Sequence, residues 1–231
     1  GRLENIDLHG AFTTALGAMN ANGDLHIDTT LSHIDFCGHL STRKFQLGRL
    51  IDQADLGAVA FHAHVDGKID STSLTHCIAE ADIHSIEVFG YKYKNIRIDG
   101  EMYSEEVNGS LTINDENIRL NINGLADWSE EDTRLDLTID LAQFQPAKLN
   151  LLQQYPNLEL GATTYISLYT SGKTEEMLDN LTGYVIIDSL QIQNGEVQTM
   201  MEQLKLLVDS ELKAGGPFHQ LRVQSDYLTA N

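Results

Sequence analysis

The chain has 231 residues, of which 42% are hydrophobic, 21% are charged and only three are prolines. This composition is typical of a folded protein, and the length allows one large all-β domain or two small ones. The formal net charge of -19 argues strongly against a nucleic-acid partner and against docking on an anionic membrane surface, because both need clustered Lys and Arg. No apolar run approaches the roughly 20 residues of a membrane-spanning helix, so we expect a soluble piece.

The first 70 residues predict strands, because apolar and polar residues alternate in short runs. We expect Leu25 and Ile27 to face Leu40 and Gly38 across a hairpin, since the residue numbers of both pairs add to 65. Residues 59–69 place two different sets of side chains on the two sides of one strand. The apolar set is Val59, Phe61, Ala63, Val65 and Ile69, and the polar set is His62, His64 and Asp66.

Residues 77–95 predict a tight hairpin followed by an irregular stretch. Ile83 opposes Ile86 across the predicted turn, and the aromatic residues of 89–95 break the alternation, which favours a bulge or a loop there. The alternation points Cys77 inward and Cys37 outward, so a disulfide between them is not expected.

Residues 96–141 predict four successive strands that share one apolar face. Turn residues separate them at 103–106 and 114–117. In the first hairpin, Met102 faces Val107 and Ile98 faces Leu111, because the residue numbers of both pairs add to 209. The residue numbers of opposed pairs add to 231 in the second hairpin. They add to 263 in the third, in which Trp128 faces Leu135. The candidate ligand-facing residues on this face are Ile96, Ile98, Met102, Val107, Leu111, Ile113, Ile118, Leu120, Ile122, Leu135, Leu137 and Ile139.

Glycines on the same face predict a place where the sheet creases. Gly100 falls opposite Gly109, and Gly124 falls opposite Ile139. The alternative, that these glycines only end strands, is left open by the sequence. Replacing Gly100 or Gly109 with Val is expected to distort the fold if the crease exists.

Three short segments predict helices, at 43–52, 146–154 and 174–181, the last with Thr174 as its cap and Met177, Leu178 and Leu181 as its apolar stripe. Strands resume after Pro156 and continue to the end of the chain. The total is on the order of a dozen short strands. We therefore predict a mainly all-β fold, a long antiparallel meander sheet with a few short helices, and treat residues 1–231 as one segment with a loose seam near 143–158.

The apolar side of such a sheet must be covered, because each large aliphatic side chain left in water forfeits roughly 1.5–3 kcal/mol. The predicted helices are too short to roof it. Two possibilities stay open: a sandwich or barrel with a closed dry core, or a folded sheet whose interior stays accessible to an apolar ligand.

The residues for catalysis or metal binding do not form a recognisable set. His62 and His64 share a strand face, but no third ligand can be named, and zinc sites need three or four. Neither a phosphate-binding loop nor a nucleophile elbow is present in the sequence. We expect no enzymatic activity, no metal and no cofactor.

Five segments in order along the chain resemble the periplasmic portion of TamB and AsmA-type envelope proteins. They are "FQLGRLIDQADLGAVAFHAHVDGKI" (45–69), "GYKYKNIRIDGEMYSEEVNGSLTINDENIRLNINGLADWS" (90–129), "DLAQFQPAKLNLL" (140–152), "SGKTEEMLDNLTGYVIIDSLQI" (171–192) and "LRVQSDYLTAN" (221–231). The family is recognised by repeated strands punctuated with glycine rather than by one motif. The resemblance covers nearly the whole chain.

This resemblance implies an open β-groove, also called a β-taco, with an apolar interior that carries phospholipid acyl chains between membranes. It further implies a periplasmic location, an inner-membrane anchor in segments absent from this chain, and an outer-membrane barrel assembly protein as a partner. The chain then corresponds to a middle section of a longer envelope protein. A structural or scaffolding all-β module with a closed dry core and no ligand is the alternative.

Overall fold

The computed structural model describes residues 5–28, 32–70, 73–128, 133–155, 157–177, 179–201, 203–208, 221–225 and 229–230. The chain divides into two compact units with a boundary between Asp115 and Glu116. The predicted seam near 143–158 therefore falls inside the second unit. Both units are built almost entirely of antiparallel strands, which confirms the mainly all-β meander predicted from the alternation.

The described part of the first unit contains seven strands and one short helix, and each strand pairs with its neighbours in the sequence. The elements are β1 (Asn5–Thr14), β2 (Gly17–Ile27), β3 (His33–Gln46), α1 (Leu47–Leu50), β4 (Leu56–Asp70), β5 (Ser73–Val88), β6 (Tyr91–Tyr103) and β7 (Glu106–Asn114). Within the described part of this unit, no ladder joins β7 back to β1. The sheet is an open meander.

The second unit continues the same pattern with one variation. Its strands are β8 (Ile118–Asp127), β9 (Thr133–Phe144), β10 (Leu158–Gly172), β11 (Thr182–Asn194), β12 (Val197–Met201), β13 (Leu204–Val208), β14 (Leu221–Ser225) and β15 (Thr229–Ala230). β10 pairs along β11 on one side. β12 and β13 share the other side of β11, the first beside Leu190–Asn194 and the second beside Gly183–Ile187.

The predicted register is confirmed in one hairpin and wrong in two. Met102 faces Val107 in β6 and β7, as predicted. In β8 and β9 the pairs are Ala126 with Leu135 and Ile122 with Ile139, a shift of two residues from the prediction. Leu25 faces Phe36 in β2 and β3, a shift of four. Even-numbered shifts keep every side chain on its predicted face, so alternation alone does not distinguish these registers.

The predicted turn between Ile83 and Ile86 is also wrong, because β5 runs continuously through both residues. The change in alternation is a bulge against β4, where the register shifts beside Phe61. The chain turns later, at Phe89 and Gly90, whose φ angles are 51° and 74°. The irregularity expected within 89–95 includes Asn95, which has a φ of 53° inside β6.

Asp115, from the predicted turn at 114–117, is buried beside this irregular part of β6. Its Oδ1 accepts a hydrogen bond from the Tyr91 hydroxyl at 2.5 Å, and its Oδ2 accepts one from the Lys94 backbone N–H at 3.1 Å. Burial, with a smaller contribution from the Asp115 charge, raises the pKa of Tyr93. The carboxylate thus satisfies a backbone donor at the irregular part of β6.

The three predicted helices are much shorter than the sequence suggested. The first is a single turn at Leu47–Leu50, preceded by strand. Residues 146–154 form consecutive turns, held by bonds such as Leu149 N–H to Gln145 O at 3.2 Å. The third is a 3-10 turn at Thr174–Glu176, with Lys173 rather than Thr174 at its N-cap position. Leu178 lies outside the described residues.

The apolar core is small. Among the described residues, six apolar side chains are buried: Phe45, Val59, Ile96, Ile118, Pro146 and Leu149. Phe45 and Val59 face each other across β3 and β4, and Leu149 is fully buried in the turns that follow β9. A sheet sealed beneath a second layer buries most of its inward residues, whereas most apolar side chains of this sheet are only half-buried.

Candidate functional site

The apolar face of the first unit is formed by rows of residues that oppose one another from strand to strand. One row runs across six strands through Ala21, Leu40, Ala63, Ala81, Ile98 and Leu111. A second runs through Leu25, Phe36, Gly67, Cys77, Met102 and Val107. The rows exist because apolar residues recur at every second position of each strand.

The predicted site residues of this unit lie on that face, as their register requires. Ile96 is buried between Ile83 and Ile113. Ile98 is 36% exposed, and Met102, Val107, Leu111 and Ile113 are half-buried. The face is therefore apolar and partly accessible to solvent over most of hairpin β6–β7.

A row that contains four glycines and an alanine separates the two apolar rows. It runs through Leu8, Gly23, Gly38, Val65, Ala79, Gly100 and Gly109. The pairing of Gly100 with Gly109 confirms a sequence prediction. Gly23 also faces Gly38, and a Cβ on Gly23 would lie only 2.6 Å from the Cα of Gly38. The backbones approach there more closely than any other residue allows.

An apolar hollow of about 130 Å³ lies over this second glycine pair. Its walls include the side chains of Leu8, Leu25, Phe36, Leu40 and Val65. The hollow is not expected from the predicted register, because that register places Gly38 opposite Ile27. A register in which Gly23 faces Gly38 also joins Leu25 to Phe36 and Ile27 to Ile34, so a comparison of alternative registers would have revealed the pair.

The predicted site residues of the second unit also share one face of their own sheet. Ile122, Ile139, Ile166, Val185 and Leu206 form one row from β8 to β13. Ile118 is buried and faces Phe144 of the neighbouring strand β9. Leu120, Ile122, Leu135, Leu137 and Ile139 are half-buried. Gly124 faces Leu137 rather than Ile139, which corrects the predicted pair.

The opposite face of the first unit is polar and rich in histidine. The rings of His39 and His64 lie 4.5 Å apart between centroids, and those of His62 and His84 lie 5.2 Å apart. In the described part of the chain, no group of three or more His, Cys, Asp and Glu residues is arranged to hold a metal ion. His62 and His64 thus contact aromatic neighbours on adjacent strands.

The two cysteines lie on different faces of the first unit and are both free thiols. Cys37 faces Asp24 and Asp66 on the polar side, and the hydrogen bond to Asp66 is the main cause of its raised pKa. Burial is the main cause of the raised pKa of Cys77. A raised pKa lowers the fraction of each thiol that is present as the reactive thiolate.

Within the described residues, no helix is long and apolar enough to cross a membrane. Comparisons with family models, with curated proteins and with solved structures found no match to the chain. The first unit presents two contrasting faces, a partly exposed apolar face and a polar face with a cluster of imidazoles.

Proposed function

We propose that the apolar face binds the acyl chains of phospholipid, in a periplasmic groove of the kind that the resemblance to TamB and AsmA-type proteins implies. The observation that carries the proposal is that apolar residues form continuous rows in each unit while few of them are buried. An acyl chain gains about 0.8 kcal/mol for each CH₂ that it buries. A row of half-buried aliphatic side chains offers that gain without requiring a specific shape.

The hollow over Gly23 and Gly38 supports the same proposal. Its lining is almost wholly apolar, and backbone crowding prevents either glycine from filling it with a side chain. A methylene chain is narrow enough to use such a depression. In the setting that the resemblance implies, the full-length protein is anchored in the inner membrane, and an outer-membrane barrel assembly protein is a partner. The proposed activity is binding and conduction, without catalysis.

The test compares two variants, each of which places one carboxylate on strand β7, one on its apolar face and the other on its polar face. Leu111→Asp puts a charge on the apolar face, and Thr112→Asp puts the same charge on the polar face opposite Arg97. Binding of the fluorescent fatty acid cis-parinaric acid to each folded variant is measured by titration. We expect Leu111→Asp to weaken binding about tenfold, which corresponds to ~1.4 kcal/mol, and Thr112→Asp to leave it near the wild-type value.

Photo-crosslinking identifies the natural occupant. A benzophenone side chain at Ile98 or Leu120 is expected to label lipid that co-purifies with the protein, and one at Arg97 is the control on the polar face. A wild-type chain that binds no fatty acid, together with crosslinkers that label only protein, would contradict the proposal and favour a scaffolding module.

A further inference from the structure

A cavity of the first unit with a volume of about 590 Å³ lies on the polar face, away from the apolar rows. It is formed by β2, β3, β4 and β5. Besides Thr42, the polar residues that line it are Asn20, Ser41, Arg43, Lys44, His62 and His84. Small-molecule sites in proteins typically have volumes of about 300–1,000 Å³, so the cavity has room for a small organic ligand.

Local irregularity of β3 brings Arg43 and Lys44 to this cavity. The register between β3 and β4 shifts between Thr42 and Phe45, and the register between β2 and β3 shifts at the same level. The Thr42 hydroxyl donates to the Ala18 carbonyl at 2.8 Å and accepts from the Lys44 backbone N–H at 3.2 Å. A bulge of this kind redirects side chains, and here two consecutive cationic residues line one cavity.

The charges around the cavity are unusual for a chain whose net charge is -19. Its lining contains an arginine, a lysine and two histidines but no carboxylate. Among the described residues, neither Arg43 nor Lys44 forms an ion pair. Both side chains are exposed. Two cations without an acidic partner, beside imidazoles and hydroxyl and amide groups, leave several hydrogen-bond donors free for a ligand.

The nearby acidic side chains are associated with a different cation. Arg97 makes two hydrogen bonds to Asp99, at 2.8 and 3.0 Å. Hydrogen bonding to Asp99 is the main cause of the raised pKa of Arg97, and the charges of Asp82 and Glu80 contribute further. Asp82, Glu80 and Asp99 thus act on Arg97, and none of them lines the cavity.

We propose that this cavity binds the phosphate group of a small phosphate ester. Arginine matches a phosphate with paired N–H donors, and lysine adds a point charge. Asn20 and Ser41 face each other across β2 and β3 and offer further polar contacts. The site is on the opposite face from the acyl-binding rows and does not depend on them. The ester is either a free metabolite or a phospholipid headgroup, which share this chemistry.

The experiment compares two double variants of the whole chain. Arg43→Gln/Lys44→Gln removes both cavity cations, and Lys68→Gln/Lys92→Gln removes two exposed lysines of the same unit that do not line the cavity. Circular dichroism checks that both are folded. Calorimetric titration with glycerol 3-phosphate is expected to give saturable binding to the wild type, roughly tenfold or more weaker binding to the cavity variant, and a change below about twofold in the control.

A vesicle arm distinguishes the two sources of the phosphate group. Co-sedimentation with phosphatidylcholine vesicles that contain phosphatidic acid assigns the headgroup if Arg43→Gln/Lys44→Gln abolishes it. Binding of glycerol 3-phosphate without vesicle recruitment assigns the free ester. The proposal is overturned if neither ligand binds the wild type, or if the two double variants lose affinity equally, since equal losses mean non-specific electrostatic attraction.

Discussion

The paired glycines Gly100 and Gly109 have different surroundings although they face each other. A Cβ on Gly109 would lie 2.9 Å from the Asp99 carbonyl oxygen and 3.2 Å from the Cα of Gly100. A Cβ on Gly100 would meet only the Asn108 carbonyl oxygen, at 3.9 Å. Backbone atoms cannot move aside as a side chain can. Only one of the two positions therefore requires glycine.

The two alanine variants test this difference. We expect Gly109→Ala to lower the free energy of unfolding by about 1–3 kcal/mol, the usual cost of inserting a group into filled space. Gly100→Ala is expected to be neutral or to stabilise by up to about 1 kcal/mol, because alanine restricts the unfolded chain. Urea unfolding measures both. Equal destabilisation would contradict this difference between the two glycines and would favour the crease that the sequence predicts at both positions.

Among the elements, the turns after β9 contain two buried side chains, Pro146 and Leu149. Leu149 is fully buried, whereas Leu151, two residues later in the same turns, is 41% exposed. These turns lead from β9 to β10, so their anchoring fixes the connection between two long strands.

We expect Leu149→Ala to cost about 2–5 kcal/mol, because it removes a buried side chain and leaves a cavity. Leu151→Ala changes the same residue type in the same segment and is expected to cost less than about 0.5 kcal/mol. Thermal and urea unfolding of the two variants provide the comparison. Similar losses in both would mean that burial at Leu149 does not hold the segment.

The elements show how far alternation predicts this fold. The β6–β7 hairpin has the predicted register because its turn is short: Tyr103 pairs with Glu106 and leaves two residues between them. The register of the β8–β9 hairpin differs from the predicted one by two residues. Alternation does not distinguish these two registers, because both keep every side chain on the same face of the sheet. The charges of Arg134 and Asp127 could have identified the observed register, because that register places the two residues opposite each other. Alternation identifies faces, while turn length and polar pairs determine registers.

A break in the alternation does not specify whether the chain forms a bulge or a turn. The change between Ile83 and Ile86 predicted a turn, but it is a bulge within β5. The alternation also changes between Ile187 and Leu190, and both residues belong to the one strand β11, with a register shift beside Thr163 of β10. A bulge and a turn both reverse the alternation, but a bulge leaves the chain in one strand whereas a turn joins two strands. The polar cavity depends on such a bulge in β3, so the sequence did not predict it.

At the scale of the molecule, the net charge of -19 places carboxylates against each other. Asp7 directly faces Asp24 across β1 and β2. Asp24 in turn faces Cys37, which faces Asp66. Like charges directly opposite each other in a sheet are destabilising. This acidic row is a local form of the repulsion that acts over the whole chain.

We expect Asp24→Asn to stabilise the protein by roughly 0.2–1 kcal/mol at low ionic strength. The gain should shrink as NaCl is raised to about 0.1 M and above, where the Debye length is about 10 Å or less. Asp140→Asn is the matched control, because Asp140 faces Asn121 rather than an acid. Urea unfolding at two salt concentrations measures the effect. A gain that is equal in both salts, or equal in both variants, would contradict it.

The order of the strands has a consequence for how the chain acquires its structure. Within each unit, nearly every ladder joins a strand to the next one along the chain, and β13 reaches past only the short β12 to pair with β11. Loop closure between such near neighbours costs little entropy. A nascent polypeptide can therefore add one hairpin at a time as it leaves the ribosome, because the strand with which each new strand pairs has already formed.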